Sequence, residues 1–129
     1  MSGNIDISAL KVPPSKSEHK TAKFFAEKGK RIVFIPPSAI PGVHTPDIIM
    51  DGKEWEIKCP EGSSKRTIEN NIRKAEEQSE NIIIDLRSIK VAESICISQI
   101  KRNFESRSKV KRILVITKKL ELKEFSKSK

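Results

Sequence analysis

The stretch Pro46-Asp47-Ile48-Ile49-Met50-Asp51-Gly52-Lys53-Glu54-Trp55-Glu56-Ile57-Lys58 decides the fold. Asp51-Gly52 lies between two apolar runs, and both residues tolerate the positive φ of a tight hairpin turn. The pattern predicts strands over 47–50 and 54–58, closed by Cys59-Pro60-Glu61-Gly62. Side chains alternate along a strand, so Glu56 and Lys58 share one face while Trp55 and Ile57 face the core. Asp47 opens the facing strand. The hairpin therefore brings two carboxylates and an ammonium together. Paired carboxylates are hard oxygen ligands suited to Mg²⁺ or Mn²⁺. A cation held there polarises a phosphodiester and lowers the pKa of a bound water. Lys58 beside it is placed to orient that water or to neutralise developing charge. Glu54 and Asp51 are rival carboxylates, so sequence alone leaves the ligand set open.

The elements around the hairpin follow from local signals. Residues 1–14 are polar, end in Pro13-Pro14 and read as a leader or linker. Ser15, with Glu18 three residues on, forms a capping-box pattern for a helix over 16–28, which Gly29 stops. Arg31-Ile-Val-Phe-Ile35 reads as a strand and is ended by Pro36-Pro37. Residues 36–45 are a proline-rich loop. Ser64–Ser79 is a polar helix with Ile68, Ile72 and Ala75 on one face. Asn81–Leu86 is an apolar run typical of a strand buried on both faces. A helix over 90–106 and a strand over 112–117 follow. Leu120–Leu122 is a candidate short strand, and residues 125–129 read as a disordered basic tail. The order α-β-β-β-α-β-α-β predicts an α/β domain over 15–124, a mixed sheet flanked by helices.

The chain has 129 residues and a formal net charge of +9. Such a balance biases a small protein toward polyanions or an acidic partner. The surplus is uneven: from Arg107 onward nine Lys and Arg face two Glu. A solvated basic tail is the plainer account of that run, and contact with a polyanion the favoured one. No apolar stretch approaches the roughly 20 residues needed to span a bilayer, and no secretory signal pattern is visible at the start. Cys59 and Cys96 form no CxxC pair, which argues against a zinc knuckle or disulfide scaffold. Cys59 is expected to point to the Trp55 side, and Cys96 to pack in the core. P-loop, GxGxxG, HExxH and GxSxG motifs are absent.

Pro46, Asp47, Glu56 and Lys58 together resemble the PD-(D/E)XK nuclease superfamily. That family's core is a helix, a three-strand meander, a helix and a strand, and residues 15–86 read in the same order. The resemblance implies a restriction-endonuclease-like fold and metal-dependent cleavage of nucleic acid. It implies Asp47 and Glu56 as metal ligands and Lys58 as the residue positioning the attacking water. Many members add a glutamate on the first helix that contributes to the metal site, which implies Glu18 as a further ligand or water-mediated contact. A carboxylate favoured by the helix N-terminus explains Glu18 equally well. Some members add a glutamine on the next helix, where Gln78 stands; a solvated helix end is the alternative.

From Glu18 to Leu86 the layout is similar to the C-terminal nuclease toxin domains of contact-dependent growth inhibition and related polymorphic toxin systems. That similarity implies tRNA, or else DNA, as substrate and an acidic immunity protein as partner. It also implies delivery as part of a larger secreted protein and action in the bacterial cytoplasm. Lys65, Arg66, Arg73, Lys109, Lys111 and Arg112 are the basic residues expected to steer the nucleic acid.

Two other functions compete. A metal-independent RNase toxin of the barnase, EndoU, colicin or RelE type would use His44, Thr45 and Lys58, since a loop histidine suits acid–base work. A non-enzymatic basic module would bind nucleic acid passively. With five Phe, one Trp and no Tyr, stacking platforms for single strands are scarce.

Overall fold

The computed structural model describes residues 3–127. The elements are β1 (Asn4–Asp6), α1 (Lys16–Glu27), β2 (Arg31–Phe34), β3 (Ile48–Met50), β4 (Lys53–Lys58), α2 (Thr67–Ala75), β5 (Asn81–Asp85), α3 (Glu93–Ser106), β6 (Arg112–Ile116) and β7 (Leu122–Ser126). The strands form one mixed sheet in chain order. β1 and β2 are parallel, and β2, β3 and β4 form an antiparallel meander. β4, β5 and β6 run parallel, and β7 returns antiparallel to β6. The α/β class is as expected, and from α1 to β6 the helix and strand order is the predicted one.

Alternation along the strands builds two cores. Ile82, Ile84, Ile113 and Val115 meet Ile68, Ile72, Cys96 and Ile100 of α2 and α3. Ile57, Ile83, Ile116 and Trp55 meet Ala22 and Phe25 of α1. β5 is buried along its whole length, as its apolar run implied. α1 begins at the Ser15 capping box, and Gly29 follows it at φ 90°. Among the described residues, no helix is long and apolar enough to cross a membrane.

The ends depart from expectation. The stretch read as a leader contributes β1, and Ile5 and Leu10 pack against the α1 core. Asn-Ile-Asp is too short and polar to announce a strand. The final strand is Leu122–Ser126 rather than Leu120–Leu122. Leu120 sits at φ 65° in a turn, with its N–H bonded to the Thr117 carbonyl at 3.0 Å, which delays pairing. Phe125 and Ser126, expected in a disordered tail, belong to that strand; residues 128–129 lie outside the described residues. α2 and α3 are also shorter than the predicted spans, each beginning three residues later.

β1 docks through a close backbone approach. The Gly3 N–H donates to the Ala26 carbonyl at 2.7 Å. A Cβ at Gly3 would fall 1.7 Å from the Lys30 carbonyl oxygen. Gly3→Ala should therefore release β1 while sparing both cores. Hydrogen exchange should show Asn4–Asp6 opening more readily, by on the order of 1–3 kcal/mol. Unchanged protection of those amides would refute the close packing.

Candidate active site

The β3–β4 hairpin is built as its turn sequence demands. Asp51 and Gly52 take φ of 54° and 74°. The Trp55 Nε1–H donates to the Met50 carbonyl at 3.0 Å and pins the turn from within. Ile48 then faces Trp55, which sets Asp47 beside Glu56.

Asp47 is held on two sides. Its N–H donates to the Trp55 carbonyl, and its own carbonyl accepts from the Ile35 N–H, both at 2.9 Å. Its Oδ2 accepts from the Ile57 N–H at 2.8 Å. Glu56 is only 3% exposed. Lys58 Nζ lies 3.4 Å from Glu56 Oε2. Gln78 closes the group, with its amide nitrogen, once oriented by its surroundings, donating to both Glu56 oxygens at 2.9 and 2.8 Å. Gln78 reaches Glu56 because the end of α2 is tied to β4: Ser79 Oγ and Asn81 Nδ2 both donate to the Glu54 carbonyl, at 2.9 and 3.0 Å. The sequence reading missed these two anchors, since a serine and an asparagine after a helix look like ordinary turn residues.

Burial pushes the Glu56 carboxyl up, the Asp47 charge adds to it, and Lys58 opposes both; the result is about 8. Burial raises Asp47 too, with the Ile57 N–H opposing and Glu18 contributing. Adjacent carboxyls that resist joint ionisation share a proton or take a cation. Mg²⁺ is commonly held by one or two carboxylates, with substrate phosphate oxygens completing its shell. The pair fits such an ion.

Glu18 stands near Asp47, whose carboxyl its charge helps to raise, and caps α1. Among the described residues, no three His, Cys, Asp or Glu side chains cluster tightly enough to hold a metal. Glu18 Oε1 accepts from the Ser15 N–H at 3.0 Å, and Ser15 Oγ accepts from the Glu18 N–H at 3.1 Å. The capping role is the one its geometry fills, although it lines the same cleft as Asp47. Of the rival carboxylates, Asp51 pairs with Lys30 at 2.9 Å, and Glu54 is exposed.

The remaining sequence candidates divide. Lys65, Arg66 and Arg73 are exposed at the start and along the outer side of α2. Lys109 and Lys111 line a separate depression with Glu76, Glu77 and Glu80, which Gln78 also borders. The Arg112 guanidinium donates to Asn81 Oδ1 at 3.2 Å. His44 is exposed on the proline-rich loop, while Thr45 is half-buried and lines the cleft beside Asp47. Cys59 packs against the α1 core, 3.3 Å from Thr21 Oγ1, and burial raises its thiol. Thr21 also donates to the buried Asp85 at 2.8 Å, and Arg87 pairs with Asp85 at 2.7 Å.

A sequence profile of the contact-dependent growth inhibition CdiA C-terminal domain matches residues 44–122. The chain belongs to that family. The match begins at His44 and includes Asp47, Glu56, Lys58 and Gln78. No curated protein matches this CdiA C-terminal domain significantly in sequence. A chain of a CdiA-CT/CdiI toxin and immunity complex from Burkholderia pseudomallei has the same fold, with a TM-score of 0.71 at 20% identity. The match covers 97% of this chain and 100% of that one.

The carboxyl pair predicts a pH dependence. Glu56 binds its proton more tightly in the folded chain than at its ordinary value of 4.5, so its stabilisation is complete below that value and is lost as pH rises through about 8. In thermal melts, Glu56→Gln should gain Tm relative to wild type as pH rises across that window. Mg²⁺ should recover the wild-type loss at high pH, with tighter binding as pH rises. A Tm difference that stays constant with pH would refute the coupling.

Proposed function

We propose that this toxin domain is a metal-dependent endonuclease that cleaves nucleic-acid phosphodiesters, with PD-(D/E)XK chemistry. One observation carries the reading: the buried Glu56 and the half-buried Asp47 and Lys58 meet on the hairpin, with Gln78 over Glu56. Asp47 and Glu56 would hold Mg²⁺ or Mn²⁺, which when bound polarises the phosphodiester and acidifies a coordinated water. Lys58, next to Glu56, orients the attacking water and offsets negative charge in the transition state. Gln78 is a positioning residue: its amide keeps Glu56 turned toward Asp47. Glu18, on the cleft wall, acts through water rather than as a direct ligand.

The net charge of +9 favours a polyanionic substrate and an acidic partner. Within this reading tRNA is the first substrate to test and DNA the second, following the resemblance to nuclease toxin domains. That resemblance also suggests an immunity protein as partner, and delivery to the bacterial cytoplasm within a larger secreted protein.

Purified protein incubated with total tRNA and with plasmid DNA, each with Mg²⁺ or excess EDTA, tests the reading. Cleavage should require the metal. Asp47→Ala and Lys58→Ala should each lower it by about 10²-fold or more without loss of fold. Gln78→Ala should cost less and shift the pH profile. Cleavage that survives EDTA and Asp47→Ala would move the chemistry to His44 and Thr45. Absence of cleavage with salt-dependent binding would leave a passive binding module.

A further inference from the structure

A cleft of about 630 Å³ opens directly from Asp47. One wall is the segment of residues 9–14 and the other is the loop of residues 36–39. Thr45, Glu18 and Asp47 also line it. The carboxyl site uses only Asp47 and Glu18 of this lining, so most of the cleft has no role in the chemistry proposed above.

The cleft's construction points to a flat, partly apolar ligand. Pro13, Pro14, Pro36 and Pro37 supply its walls, and each has a fixed φ that stiffens the segment. Ser38 Oγ accepts from the Ile40 N–H at 3.1 Å, which further sets the loop. Leu10 anchors the opposite wall to the α1 core. A stiff site loses little freedom when it is filled. Its volume lies in the usual range for small-ligand pockets. The polar side chains are few: the Ser38 and Thr45 hydroxyls, the Lys11 ammonium, and the Glu18 and Asp47 carboxyls. Apolar walls accept the faces of a heterocyclic base, a hydroxyl reads its edge, and a cation meets an adjoining phosphate.

We propose that this cleft takes one unpaired nucleotide of the substrate strand, next to the phosphodiester at Asp47. The proposal deepens the nuclease reading and rests on it. A base can enter such a cleft only after leaving its stack, so cleavage is directed to loops, ends or flipped-out bases. Thr45 is then a specificity residue rather than a catalytic one.

The test uses ¹⁵N-labelled wild-type protein with Mg²⁺, titrated with the four ribonucleoside and four deoxyribonucleoside 5′-monophosphates. These carry no phosphodiester, so binding is read apart from cleavage. Amide shifts should cluster at Leu10, Lys11, Ala39 and Thr45 and differ among bases. Ala39→Trp, at an exposed position on the wall, should keep its fold, abolish those shifts and lower kcat/KM on the cleaved substrate by about tenfold or more. Thr45→Val should narrow the differences among bases. Shifts absent from the cleft, or wild-type kcat/KM in Ala39→Trp, overturn the cleft and leave the nuclease standing. Cleft shifts in a protein that cleaves neither RNA nor DNA overturn the nuclease and leave the nucleotide site. The ribose and deoxyribose arms identify which nucleic acid fits.

Discussion

The register of the β3–β4 hairpin is the constraint from which the rest follows. Two residues with positive φ, Asp51 and Gly52, fix Ile48 opposite Trp55. A slip of one residue would reverse every side chain of β4. Trp55 and Ile57 would leave the α1 core, and Glu56 and Lys58 would enter it. Burial of a large indole and an aliphatic side chain thus opposes the slip, and the same force holds two polar groups on the other face. Packing energy specifies where the carboxylate stands, without the carboxylate contributing to it.

The sheet buries two acids with opposite outcomes. Burial works against the charge of Asp85, but bonds from Arg87 and Thr21 overcome it and hold the carboxyl below its usual range. Burial also works against Glu56, the Asp47 charge compounds it, and Lys58 at 3.4 Å does not compensate. Asp85 is a satisfied structural charge. Glu56 is hydrogen-bonded by Gln78, which the anchoring of α2 on the Glu54 carbonyl holds in place, yet its charged form stays disfavoured. A fold selected for stability alone would have no reason to keep the second arrangement, and strain of this kind concentrates at functional sites.

The centre of the molecule was legible in the sequence because its signals are local and strong. The Asp-Gly turn, the two-residue period of Glu56 and Lys58, and the helical spacing of Ile68, Ile72 and Ala75 each reflect one short-range rule. The PD-(D/E)XK assignment and the roles of the site residues remain inferences from those groupings. The ends were not legible for the same reason. β1 has three residues and exists through its pairing with β2 and the close approach at Gly3, both tertiary events. β7 is exposed on an edge, and its start depends on Leu120 adopting a left-handed turn. Glu18 carried two local meanings at once, and only the capping geometry separates them.

The charge count is instructive in another way. The basic surplus after Arg107 reads as a run for polyanion contact or solvation, yet several of its members also brace the fold. The Arg107 guanidinium pairs with Glu76 at 2.6 Å. Lys127 Nζ donates to the Arg107 carbonyl at 2.7 Å and lies over the Phe104 ring. Lys118 Nζ donates to the Val91 carbonyl at 3.0 Å, and Arg112 is bonded to Asn81. Long-range attraction of a polyanion depends on the sum of charges, so these residues still contribute to steering. Direct phosphate contact needs donors that remain exposed, and among the six basic residues expected to steer the nucleic acid that condition favours Lys65, Arg66, Arg73 and Lys109. Net charge therefore argues for the class of substrate, while hydrogen-bond commitments decide which side chains are left to touch it.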